Sequence, residues 1–245
     1  MNRLALRPAL RQAVMSAKHE AVPALALTAT TTAPGQTVAI YRLTPTGEAT
    51  TIYWGDGSST AVPNGYTAVI THAYTNTGAY NVRVLKPLII THLDLRGAML
   101  SCAAGQIGGL TSLTYLRLYN TTGATVGAGE IELLTSLTNM TLAYVPNVAT
   151  QTAFPNVIHT IQYENVLNQA TVDAVLAGIY GNKANFTWAT PSLDIAGGSN
   201  AAPSGVYQSV CPPTSGLETV HALATGTCVP AGPEWTITYE GGSAP

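Results

Sequence analysis

The chain has 245 residues, enough for a sizeable core in one domain or two small ones. Charged residues make up only 9% of it, against roughly 25% in an average soluble domain. The net charge of -2 argues against a strongly basic nucleic-acid binder, and a hydrophobic content of 46% argues against a disordered tail. Thr, Gly, Asn, Ser and Tyr take the place of charge, with 12 Tyr against 2 Phe. Thr and Tyr suit pleated, half-buried surfaces, and Gly with Pro suits the turns between them. Composition therefore predicts a mainly β protein with a few helices.

Residues 1–24 read as a separate N-terminal arm. Arg3, Arg7, Arg11 and Lys18 are four of the ten basic residues, and Leu4, Leu6 and Leu10 lie among them. The arginines fall four apart, on one face of any helix formed there, although Pro8 interrupts it. The bland reading is a solvated terminus; the sharper one is an assembly anchor built from Arg3, Leu4, Leu6, Arg7, Leu10 and Arg11. No unbroken apolar run of about 7–15 residues follows the basic start, so a standard secretory signal is not expected. No run approaches the roughly 18 apolar residues of a bilayer span, so membrane insertion is not expected.

Residues 25–86 break into short β-rich segments, ALALTATTT, QTVAIYRLT, ATTIYWGD, TAVITHAYT and AYNVRVL. PG, PTG, GDG, PNG and NTG turn signals separate them, which predicts a small antiparallel sandwich. Trp54, Gly55, Asp56 and Gly57, followed by His72, Tyr74, Gly78, Tyr80 and Val82, form WGDG and H-x-Y-x-x-x-G-x-Y-x-V patterns. These resemble the signatures of the polycystic-kidney-disease (PKD) type, Ig-like β-sandwich, although the segment is somewhat short for that family. The glycines permit a tight turn, and Asp56 can bond its amides. A calcium site at Asp56 is the alternative, and one carboxylate falls far short of a calcium ligand set.

Residues 87–245 contain a repeat. LTSLTYLRLYN at 110–120 recurs as LTSLTNMTLAY at 134–144. Leu93 and Leu95, Leu116 and Leu118, Met140 and Leu142, Ile161 and Tyr163, Leu193 and Ile195, and Trp235 and Ile237 read as inward-facing rungs of stacked strands. The pattern resembles a leucine-rich repeat solenoid of a divergent branch. The ladder asparagine of that family is replaced by Ala98, Thr121 and Val145. Two helices are predicted in the late repeats. Val172, Val175, Leu176 and Ile179 share one face between an Asn168 cap and Gly181, and Ser215 with Glu218 forms a capping-box pattern before Gly226. Both are expected to cover the convex side and close the C-terminal end.

Groups that carry chemistry are sparse. His19, His72, His92, His159 and His221 show no metal spacing on one helix, and no metal or other cofactor is expected. Glu130 and Glu132 lie two apart, but paired-carboxylate chemistry needs a cleft and a third group that the sequence does not supply. Cys211 and Cys228 flank one helical segment and either pair or stay free, leaving Cys102 as a small buried hydrophobe. Tyr115, Tyr119 and Tyr144 cluster around the repeat strands and offer a surface for a glycan or protein partner, or else serve as core.

No catalytic constellation emerges, so a non-enzymatic protein is expected. A PKD-like sandwich beside a phage-like leucine-rich solenoid resembles surface proteins of tailed bacteriophage virions. That resemblance implies a capsid decoration protein on the virion surface, anchored by its arm to a major capsid or tail protein, with copies associating in the assembly. A tail or head fibre, or a secreted bacterial adhesin, is the alternative.

Overall fold

The computed structural model describes residues 24–151, 153–228 and 231–244. The chain is mainly β, its sheets in a β-solenoid-like arrangement with two α-helices among the described residues. Six strands come first, β1 (Ala24–Thr31), β2 (Thr37–Pro45), β3 (Thr50–Tyr53), β4 (Ser59–Val62), β5 (Ile70–Ala73) and β6 (Gly78–Leu85). Five of these match the β-rich segments of the sequence; β4, in the polar stretch after the GDG turn, does not stand out by hydrophobicity. Then follow β7 (Ile90–Arg96), β8 (Leu100–Ser101), β9 (Tyr115–Tyr119), β10 (Thr125–Val126), β11 (Asn139–Ala143), β12 (Asn147–Val148) and β13 (Thr160–Glu164). Helix α1 (Gln169–Gly181), β14 (Ser192–Ile195), helix α2 (Gly216–Ala224), β15 (Thr236–Tyr239) and β16 (Gly242–Ala244) complete the chain. No helix among the described residues is long and apolar enough to cross a membrane.

The strands do not separate at residue 86. One nine-stranded sheet runs β16-β15-β14-β13-β11-β9-β7-β2-β5, so β2 and β5 of the first segment continue the row of repeat strands. The steps from β7 to β15 are parallel, whereas β7–β2, β2–β5 and β15–β16 are antiparallel. The second sheet, β4-β3-β6-β1-β8, also takes its edge strand from the repeat region. The Thr125 amide then donates to the Cys102 carbonyl (2.8 Å), β10 pairs in parallel with β12, and the row of short strands advances beside the long one. Lys86 and Pro87 carry the chain from β6 in one sheet to β7 in the other through a left-handed residue and a 3-10 turn. Buried residues of both sheets belong to one core, from Leu25 to Ala244.

The alternating pattern explains why the long row stacks. Leu93, Leu116, Met140, Ile161, Leu193 and Ile237 oppose one another strand by strand, as do Leu95, Leu118, Leu142 and Tyr163, and Ile195 with Tyr239. The last rung thus differs from the sequence expectation. Ile237 and Tyr239 occupy it, while Trp235 lies one step earlier, buried against Phe186 with ring centroids 4.9 Å apart. An apolar residue two positions upstream mimics the same period of two, and only the pairing register decides between them.

Polar groups close the turns. Thr91, Thr114 and Thr138 each donate a hydroxyl to the carbonyl of the preceding rung, at Thr44 (3.1 Å), Thr91 (3.0 Å) and Thr114 (2.9 Å). A ladder of asparagines appears in the later rungs. The Asn165 side chain accepts from the Val145 amide (2.7 Å), and that of Asn200 accepts from Asn165 (3.1 Å) and Leu167 (3.0 Å).

The helices pack on one another and follow the predicted caps. Asn168 accepts from the Thr171 amide (2.9 Å) and Ser215 from the Glu218 amide (3.4 Å). Glu218 does not complete a capping box. Its carboxylate accepts from Gln208 Nε2 and from the amide and hydroxyl of Thr214, all at 2.8 Å, and these bonds, Gln208 foremost, hold its pKa down at about 2. Cys211 and Cys228 are joined by a disulfide, and beside it the buried Lys183 donates to the Thr227 (2.6 Å) and Cys228 (3.0 Å) carbonyls. Cys102 is free and buried, and burial pushes its thiol up to about 11, so it is inert at neutral pH.

Leu116 lies fully buried between Leu93 and Met140. Leu116→Ala is expected to cost about 2–5 kcal/mol. Leu116→Asp, which buries an unpaired charge, is expected to cost more than about 4 kcal/mol. Thermal or urea denaturation of the two variants checks both the size and the order of the effects.

Candidate functional site

The WGDG region is a structural corner. Gly55 has φ 83 and stands where a Cβ would fall 2.7 Å from the Asn81 carbonyl oxygen, so only glycine fits. Asp56 Oδ1 accepts from the Ser58 amide (2.9 Å) and hydroxyl (2.6 Å), and Oδ2 lies 2.7 Å from His72 Nε2. His72 stacks on Trp54 (4.8 Å) and meets the edge of Tyr74 (4.6 Å), which stacks on Tyr80 (4.0 Å). The Tyr74 hydroxyl donates to the Trp54 carbonyl (2.8 Å), tying the end of β5 to the WGDG turn. Ser58, His72 and Asp56 do not form a nucleophile relay, because serine and carboxylate both approach the same imidazole nitrogen. No group of three or more metal-ligating side chains occurs among the described residues.

The Ser58 hydroxyl is the main cause holding Asp56 at about 2, against its ordinary 3.8, with the Ser58 amide and His72 helping and burial opposing. A depressed carboxyl stabilises the fold fully above its unfolded value, and the contribution fades as pH falls through the folded one. The expected outcome is that acid unfolding between about pH 4 and 2 is less steep in Asp56→Asn, which is also weaker by about 1 kcal/mol at pH 7. Circular dichroism against pH for both proteins measures it.

The tyrosine candidates lie on the outward face of the long sheet and its turns. Its outward row runs Arg42, Asp94, Arg117, Thr141, Gln162, Asp194 and Thr238. Arg96 clamps Asp94 with two bonds, at 2.9 and 2.7 Å, and its guanidinium lies 4.6 Å from the centre of the Tyr41 ring. Arg117 lies 5.2 Å from the centre of the Tyr119 ring, and Tyr119 meets the edge of Tyr144 at 5.5 Å. Tyr115 stacks on His92 at 5.8 Å. Burial, then the charge of Arg42, lowers the pKa of that imidazole, which keeps it neutral at pH 7. Tyr119 is 37% exposed and Tyr144 47%. Tyr119 and Tyr144 are therefore brought together beside Arg117 and opposite Arg96, whereas Tyr115 stands at the other end of β9 against His92. Tyr41, Arg96 and Arg117 are residues that the sequence did not single out. The signal for Arg96 and Arg117 lay in strand alternation, which places residues 94 and 96 on one face with 117 and 119.

Tyr144 is backbone-strained. Gly97, Asn120 and Tyr144 occupy the same turn after successive strands, with φ 85, 55 and 56, and each amide donates to the next coil. Glycine and asparagine tolerate this left-handed region, whereas a bulky tyrosine there is an outlier of the kind that clusters at functional positions. Tyr144→Gly is expected to leave stability unchanged or raise it by up to about 1 kcal/mol. A lower Tm for that variant would mean that the ring stabilises the fold rather than serving contact.

The Glu130–Glu132 pair is not a catalytic dyad. Glu130 is buried and accepts from the amides of Gly105 (2.5 Å), Ile107 (3.1 Å), Gly108 (3.0 Å) and Gly127 (2.7 Å), whereas Glu132 is exposed. The anchor residues Arg3, Leu4, Leu6, Arg7, Leu10 and Arg11 lie outside the described residues. No protein-family model, curated protein or solved structure matches the chain.

Proposed function

We propose that the protein is a non-enzymatic surface component of a phage particle, attached through residues 1–24 and presenting the outward face of its long sheet to a protein partner. In this reading the first segment is a PKD-like sandwich whose two sheets run on into a leucine-rich-repeat-like solenoid. The observation that carries the recognition role is the cluster of Tyr41, Arg96, Arg117, Tyr119 and Tyr144 on paired strands and their turns. Tyrosine and arginine dominate contact energy at protein interfaces, and residues held on strands lose little entropy when a partner arrives. The carboxylates support a structural reading as well. Asp94 is clamped by Arg96, Asp56 by Ser58, Glu130 by four amides and Glu218 by Gln208 and Thr214. The virion setting rests on the resemblance of the sequence signatures and on the basic, leucine-bearing arm.

The test removes residues 1–24, of which Ala24, the first residue of β1, is the one described residue. The truncated chain is expected to melt cooperatively and to be lost from purified particles. Normal incorporation would move the attachment surface onto the sheets. In the full chain, Tyr119→Ala with Tyr144→Ala is expected to leave incorporation intact and to weaken capture of the partner by about tenfold or more. Pull-down from particle or host-surface extracts measures that arm.

A further inference from the structure

The groove beside Trp188 lies away from the tyrosine–arginine cluster, at the opening ends of β11 and β13. Trp188 is 45% exposed, while the two other tryptophans, Trp54 and Trp235, are fully buried. Its indole is fixed: Nε1 donates to the Val157 carbonyl (2.6 Å), and the His159 ring packs against it at 4.6 Å. In front of it a groove of about 520 Å³ is lined by Thr135, Ser136, Thr138, Val157 and Thr187. Thr135 and Val157 also line an adjoining groove of about 640 Å³ that carries Asn156 and Asn182. Thr138 and Thr187 use their hydroxyls on backbone carbonyls, and Asn182 donates to Asn156 (2.9 Å). The hydroxyls of Thr135 and Ser136 have no partner among the described residues and border the groove. Glu132 is the one carboxylate lining either groove.

We infer that this groove is a binding site for a neutral oligosaccharide, with the Trp188 ring as stacking platform and Thr135 and Ser136 as hydroxyl-directed contacts. A large aromatic face left in water offers apolar area that a ligand can cover, and a fixed ring loses no further rotamer freedom on binding. Its lining of hydroxyls and amides matches a ligand that is itself a ring of C–H faces edged by hydroxyls. An anionic ligand would find no countercharge there and a cationic one only Glu132, whereas neutral sugar hydroxyls can exchange hydrogen bonds with the wall. Two adjoining grooves of this size accommodate more than one sugar ring.

Maltohexaose, cellohexaose, chitohexaose and mannohexaose serve as probes on the full chain. Because Trp54 and Trp235 are buried, acrylamide-quenchable fluorescence reports Trp188. At least one probe is expected to shield that fluorescence. Calorimetry is then expected to give about tenfold weaker binding for Trp188→Ala and about threefold weaker binding for Thr135→Val, with melting temperatures confirming folded protein. Tyr144→Gly is expected to bind the probe as the wild type does. The inference is overturned if none of the four probes shields Trp188, if folded Trp188→Ala binds undiminished, or if the affinity follows Tyr144 instead.

Discussion

The pairing of β2 with β7 is the constraint on which the rest of the molecule depends. Ile40 opposes Leu95 and Leu43 opposes Leu93, so the repeat strands inherit a sheet edge already backed by a core. A stack of repeats cannot end on a bare rung without exposing apolar side chains and unpaired amides. Here β2 and β5 cover the first rung, and β1 covers the short strand β8. At the far end β16 folds back on β15, so the last parallel strand is also paired on both sides. Lys86 and Pro87 are the crossover between layers of one body, and the change of sequence period there marks a change of strand direction.

Once the long row is fixed, the backbone groups that it leaves over must find partners. The early coils use threonine at the start of each strand, and the late coils use Asn165 and Asn200 beyond its end. Glu130 does the same for four amides of the loops between Gly105 and Gly127. These buried bonds each contribute modestly, but an unpaired donor in their place costs more than the bond adds. Low charge and abundant Thr and Asn therefore suit this architecture: short polar side chains reach from one coil to the next, and a buried charge such as Glu130 or Lys183 is held only where several backbone groups meet it.

Much of the architecture was legible because it follows side-chain period. The L-x-L segments marked five of the six rungs, and the Asn168 and Ser215 caps marked both helices. What remained hidden depended on register and on distant partners. Trp235 and Tyr239 are equally plausible in an alternating pattern, and only the pairing of Leu193 with Ile237 separates them. Asn165 and Asn200 sit at different distances from their strand residues, so no fixed spacing reveals the ladder. Tyr115, Tyr119 and Tyr144 were visible as a group, whereas Tyr41 joins them only through the antiparallel β2–β7 pairing, which composition cannot show.

The exposed aromatics then acquire meaning from where the strands put them. Tyr119 and Tyr144 gather near the closing ends of the repeat strands, and Trp188 stands at the opening ends. Between these positions the sheet is paired strand to strand, so neither surface needs to order itself before making contact. The two sites also differ in character. Guanidinium groups flank the tyrosines, while hydroxyls and amides surround the tryptophan. A left-handed tyrosine at a position that takes glycine and asparagine in the neighbouring coils is not favoured by the fold alone. On the reading proposed above, the ring serves contact, and the scaffold tolerates the strain.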